Sequence, residues 1–131
     1  MKRSLILAIL IFASLVTTVI VIEDETSAQV PPVIFGLHVL NVDENTIEIE
    51  WETDTPTKCT VEWGKTDTYG QSKEIGGSFE TSFQTNITGL DRTTKYHFRI
   101  VAENLAGDIG RSGDRTVTTG PQDEVGGTTP G

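Results

Sequence analysis

TKYHFRIVAENLAG, residues 94–107, places Tyr96, Phe98, Ile100 and Ala102 at every second position, with Lys95, His97, Arg99 and Val101 between them. A period of two belongs to a β-strand that buries one face and wets the other. On this phase the two aromatics point into a core and His97 points outward between two cations. A histidine acting as general base needs a nucleophile and an orienting partner within hydrogen-bond reach. The only other histidine, His38, lies far away on an early strand. The stretch therefore speaks for architecture, and no catalytic site is expected around His97.

The same period recurs outward from it. Ile47, Ile49 and Trp51 alternate with Glu48, Glu50 and Glu52, and Cys59, Val61 and Trp63 alternate with Thr60 and Glu62. Asp54-Thr55-Pro56 should separate these two strands, because proline cannot donate to a ladder. Phe79, Thr81, Phe83, Thr85 and Ile87 share one face of a longer strand. Leu37 and Val39 are expected inward on an early strand over 33–42. Short strands are expected near 71–75 and over 115–119. Turn residues interrupt at short intervals and no helical period occurs between residues 29 and 119. The pattern predicts an all-β, seven-stranded antiparallel sandwich.

Composition narrows the function classes. The chain has 131 residues, enough for one domain, and a net charge of −9. So acidic a chain repels phosphate backbones, and no nucleic-acid partner is expected. One cysteine, Cys59, excludes an intrachain disulfide and a Cys-based zinc site. Glu48, Glu50 and Glu52 form a ladder, but same-face neighbours on a strand stand about 7 Å apart, too far to chelate one ion unaided. No nucleophile–base grouping, phosphate loop or metal set is visible. No enzyme activity, cofactor or metal is expected.

Met1-Lys2-Arg3 precedes an 18-residue apolar run, Leu5 to Ile22, and Glu23-Asp24-Glu25 follows it. Basic before and acidic after places the later chain outside the cytoplasm. The run is expected to be a hydrophobic helix. It is either a signal removed after Thr26-Ser27-Ala28 or an anchor holding the chain in the membrane through residues 5–22. The division is then 1–28 signal or anchor, 29–119 domain, and 120–131 a tail or linker rich in glycine and proline.

These residues resemble the fibronectin type III domain, an immunoglobulin-like sandwich. Pro31-Pro32 with Leu37-x-Val39 is similar to its opening strand, and Ile47-x-Ile49-x-Trp51 to its second strand with the core tryptophan. Leu90, Thr94 and the run Tyr96-x-Phe98-x-Ile100-x-Ala102-x-Asn104 with Gly107 resemble its tyrosine corner and following strand. Val117-Thr118-Thr119 resembles the closing strand. Trp51-x-Thr53-Asp54-x-Pro56-Thr57 with Val61-Glu62-Trp63-Gly64 and Tyr69-Gly70 is similar to the fibronectin-like domain preceding the catalytic domain of purple acid phosphatases. Similar modules occur in prokaryotic surface proteins. The metal-bearing phosphatase domain is absent here, so its activity does not transfer.

The resemblance implies two layers, with the first, second and fifth family strands opposite the third, sixth and seventh. Strand phase then gives one outer face carrying Glu48, Glu50, Glu52 and Glu80. The other carries Lys58, Lys95, His97 and Arg99 opposed only by Glu62. This second face is the expected partner surface, for an extracellular protein or glycan. Asn86-Ile87-Thr88 is a sequon on an outward asparagine, a candidate glycosylation site. The expected role is a non-catalytic extracytoplasmic binding module, secreted or anchored at the cell surface. The alternatives are a spacer domain of a surface enzyme and an anchored subunit of a surface assembly.

Overall fold

Alternation in Ile47 to Trp51 is realised as burial: Ile47, Ile49 and Trp51 are inside, while Glu48 and Glu50 are half-buried and Glu52 is exposed. The structure, a computed structural model, describes residues 28–121 together with the backbone of residues 5–11 and 17–22. No helix is present among the described residues, and none there is long and apolar enough to cross a membrane.

The chain divides into two units at Val30 and Pro31. In the first, β1 (Leu5–Ile11) and β2 (Thr17–Ile22) pair antiparallel, from Leu5 opposite Ile22 to Ile11 opposite Thr17. The helix expected over 5–22 also involves residues 12–16, which lie outside the described residues.

The second unit holds β3 (Ile34–Val42), β4 (Ile47–Gly64), β5 (Gln71–Ile87), β6 (Lys95–Asn104), β7 (Ile109–Arg111) and β8 (Arg115–Thr118). β4 and β5 are long because each serves both layers. Residues 47–53 of β4 pair with β3 and with the end of β5. Residues 57–64 pair with β6, from Thr57 opposite Asn104 to Gly64 opposite His97, and with the start of β5. The β4–β5 register breaks between Glu52 and Thr57, and there the sheet folds over on itself. β7 and β8 complete the second layer beside β6. The fold is thus the expected all-β sandwich. Asp54-Thr55-Pro56 does not interrupt the strand as expected. It stays extended and carries the fold-over.

The core lies between the layers. Leu37, Ile47, Ile49, Trp51, Phe83 and Ile87 come from the first, and Cys59, Val61, Tyr96, Phe98, Ile100 and Ala102 from the second. Trp51 stacks on Phe83 with ring centroids 5.3 Å apart and planes 10° from parallel. Phe79 departs from the expected inward face. It is 36% exposed and lies under the Lys58 ammonium, 4.9 Å from its ring centroid. The reason is the crossing of β5 between layers near residues 76–81, which breaks the phase that Phe83 and Ile87 obey.

Two polar knots hold the corners. At the fold-over, buried Thr53 and Thr57 hydroxyls lie 3.1 Å apart, and Thr53 Oγ1 donates to the Thr55 carbonyl at 2.8 Å. Thr57 Oγ1 and the Trp51 indole N–H each reach Cys59 Sγ at 3.4 Å. Burial pushes the Cys59 thiol up, against the lowering effect of those two bonds. Asp54 ties the entry of β3 by accepting the Val33 N–H at 2.8 Å. At the other end, Tyr96 Oη accepts the Asp91 N–H at 2.8 Å above buried Leu90. Buried Thr119 donates to the Asp91 carbonyl and accepts the Thr94 N–H. Without these partners the buried groups would cost about 1–3 kcal/mol each.

Candidate functional site on the outer face of the second layer

β6 turns Lys95, His97, Arg99, Val101 and Glu103 away from the core, as its buried alternate residues require. Across the ladder, Arg99 faces Glu62 of β4, and its Nε lies 2.5 Å from Glu62 Oε2 with both side chains about one-third exposed. His97 Nδ1 lies 2.8 Å from Asp114 Oδ2, an acid on the bend between β7 and β8. The other oxygen of Asp114 accepts from Tyr69 Oη at 2.9 Å. The Arg99 guanidinium lies 4.7 Å from the Tyr69 ring centroid, at cation–π distance.

Tyr69 is held unusually. Its φ is +63°, a left-handed backbone that a tyrosine adopts only against steric cost. The carbonyl of Tyr69 presses on Gly64 so closely that a Cβ there would lie 1.7 Å from it. Gly64 is therefore glycine for close approach, and the approach seats the 65–70 turn against β4. Burial, reinforced by the Asp114 carboxylate, raises the Tyr69 phenol above its ordinary value. A pocket of about 240 Å³ opens beside it, lined by Glu62, Thr68, Gln71, Ser72 and Arg99.

The structure gathers Lys95, His97 and Arg99 and separates Lys58 from them. Lys58 pairs with Glu103, four positions along β4 from Glu62, or about 13 Å. This face also carries more acid than the single Glu62 expected. Glu74, Glu103 and Asp114 join it through register and turn geometry. It is a mixed, internally paired surface rather than a basic one. Tyr69 and Asp114 escape strand phase because both sit in turns. The Tyr69-Gly70 pair is the one sequence sign of them.

The first layer's outer face is different. His38 Nε2 lies 2.7 Å from Glu50 Oε1, and Gln84 donates to Glu48 at 2.6 Å. A groove of about 500 Å³ runs past His38, Glu50, Glu52, Ser82 and Gln84. Glu80 is exposed and accepts from Ser78. Asn86 is exposed at the end of β5. No group of three or more His, Cys, Asp or Glu among the described residues could hold a metal ion.

The sequence pattern of the fibronectin type III domain matches residues 30–118. The chain belongs to the fibronectin type III family. Solved structures agree on the fold. A titin module, A71 from human cardiac muscle, is 24% identical with a TM-score of 0.53, covering 75% of this chain and 99% of its own. The domain of human fibronectin type III domain containing protein 3 is 20% identical with a TM-score of 0.53, covering 82% and 98%. A structure described as a myokine is 17% identical with a TM-score of 0.58, covering 70% and 100%. No curated protein matches the chain. Fibronectin type III modules usually mediate binding or act as spacers, and such homologues are generally non-catalytic. Tyr96 on the Asp91 N–H is the family's tyrosine corner, with Leu90 buried beneath it.

Asp114 gives the site a pH signature. The hydrogen bond from His97 holds its carboxyl below the ordinary value of 3.8, against the opposing effect of burial. A depressed carboxyl contributes stability above its unfolded value and loses it as pH falls through the folded one. Asp114→Asn should therefore be less stable than wild type near pH 5, with the gap closing below about pH 3.8. Denaturant midpoints of both proteins across that range check this. A gap that stays constant with pH defeats it.

Proposed function

We propose that this fibronectin type III domain is a non-catalytic, extracytoplasmic binding module that docks a protein or glycan on the outer face around Tyr69, Lys95, His97 and Arg99. The observation that carries the reading is Tyr69. Its left-handed backbone is kept in place by Gly64, Asp114 and Arg99 at once. Backbone strain of this kind is characteristic of functional positions. A phenol–carboxylate–guanidinium cluster offers donors, acceptors and an aromatic edge, which suits a polar partner.

Location rests on the charge order around the apolar run of residues 5–22. Mass analysis of the mature N-terminus checks it. A start at Gln29 means a cleaved signal, whereas a chain retaining residues 5–22 and sedimenting with membranes means an anchor. The Gly- and Pro-containing segment 120–131 favours a second reading, a spacer joined to a larger surface assembly.

The docking face is tested by reversing Lys95 and Arg99 together to Glu. Species captured from an extracellular fraction by the full chain should be lost by the reversed variant, with at least tenfold weaker retention. Lys58→Glu, at the far end of the face, should retain them. Capture unaffected by the double reversal removes the proposal.

A further inference from the structure

The first layer's outer face carries a feature that partner docking does not use. Four asparagines stand among the described residues. Asn41 donates to Asp43, Asn45 accepts from Thr46, and Asn104 accepts two N–H groups of its own turn. Asn86 alone has a side chain without a hydrogen bond, and it alone is followed by the x-Thr of a sequon. Strand phase explains its exposure. Ile87 is buried in the core beside it, so Asn86 must point outward. Thr88, also exposed, stands where β5 has ended, just before Gly89 at φ +72°. Both groups that a glycosyl transferase must reach are thus accessible on the last residues of a sheet-edge segment.

We infer that Asn86 is a site of N-linked glycan attachment, on the face opposite the Tyr69 surface. The inference rests on the extracytoplasmic reading above. The donor class is an oligosaccharide carried on a polyprenyl phosphate. Asn86 Nδ2 forms a bond to the anomeric carbon, and the bond from that carbon to the phosphate oxygen breaks, its electron pair leaving with the lipid phosphate. The amide proton passes to a base of the transferase, so neither oxidant nor reductant is needed. The glycan would stand over the row formed by Asn86, Glu48 and Asn41, which are register neighbours. It would flank the free edge of β5, where Lys73 already covers the Thr85 hydroxyl and the Asn86 carbonyl. A bulky, solvated group there opposes edge-to-edge pairing of sheets and leaves the other face open.

The test expresses the full chain in a cell with an extracytoplasmic N-glycosylation system and weighs the tryptic peptide of residues 74–92 from the exported protein. The expected result is a mass gain of whole sugar units on Asn86, abolished in Asn86→Gln and Thr88→Ala and kept in Thr88→Ser. An exported chain whose peptide is wholly unmodified, or a gain that persists in Thr88→Ala, overturns the inference. Retention of the chain in the cytoplasm would defeat the location instead. A second arm separates the two. The purified full chain is offered to an oligosaccharyltransferase with a polyprenyl-linked oligosaccharide. Transfer to Asn86 there supports the site whatever the location, and no transfer overturns it.

Discussion

Trp51→Ala is expected to destabilise the domain by about 3–5 kcal/mol, the range for removing a large buried aromatic. Trp51 is 1% exposed and among the largest fully buried side chains of the described residues. Its loss removes the stack on Phe83 and leaves a void between layers that the ladders on either side of β4 prevent from closing. The indole N–H bond to Cys59 Sγ is long and weak, so packing rather than hydrogen bonding dominates the effect. A domain of this size has about 5–15 kcal/mol to lose, so the substitution should remove about a third to a half of a mid-range stability. The melting temperature should fall by about 4–8 °C for each kcal/mol. Denaturant unfolding followed through the fluorescence of the remaining Trp63 measures it. A loss below about 1 kcal/mol would mean the two layers are not closed on this residue.

Gly64→Ala should couple stability to the candidate site. The added Cβ would meet the Tyr69 carbonyl oxygen at 1.7 Å and its Cα at 2.9 Å. These are backbone atoms, so no rotamer change relieves the contact and the 65–70 turn has to move. Overpacking of this kind costs about 1–3 kcal/mol and occasionally more. Displacement should also lift Tyr69 from Arg99 and Asp114. The raised Tyr69 phenol should then titrate lower, nearer its ordinary 10.0. Site-resolved titration of Tyr69 by NMR, beside a denaturation curve, separates the two consequences. Loss of stability with the Tyr69 titration unchanged would show that the turn yields elsewhere and that Gly64 does not seat the tyrosine.

Much of this architecture was legible because alternation is a local rule. Wherever one strand lies on one layer, as β6 does, each side chain's face follows from its neighbours' polarity. Tyr96, Phe98, Ile100 and Ala102 are inside for that reason. The rule fails where a strand leaves its layer. Phe79 obeys the period of β5 and still ends outside, because the chain crosses between layers there. It is silent again in turns, where Tyr69 and Asp114 have no face to inherit.

Residue order by itself determined the sandwich, the inward set of strands that keep to one layer and the outward placement of His97 and Asn86, since a pleated strand that buries its apolar side chains sends the alternate ones outward. Tertiary structure alone decided the character of the second face. Asp114 lies 45 residues from Tyr69 along the chain, yet it lies against His97 Nδ1 and accepts from the phenol, while Glu62 pairs with Arg99. Such pairing depends on which strands become neighbours and in what register. That is set by the fold-over in β4, and no stretch of sequence encodes it locally.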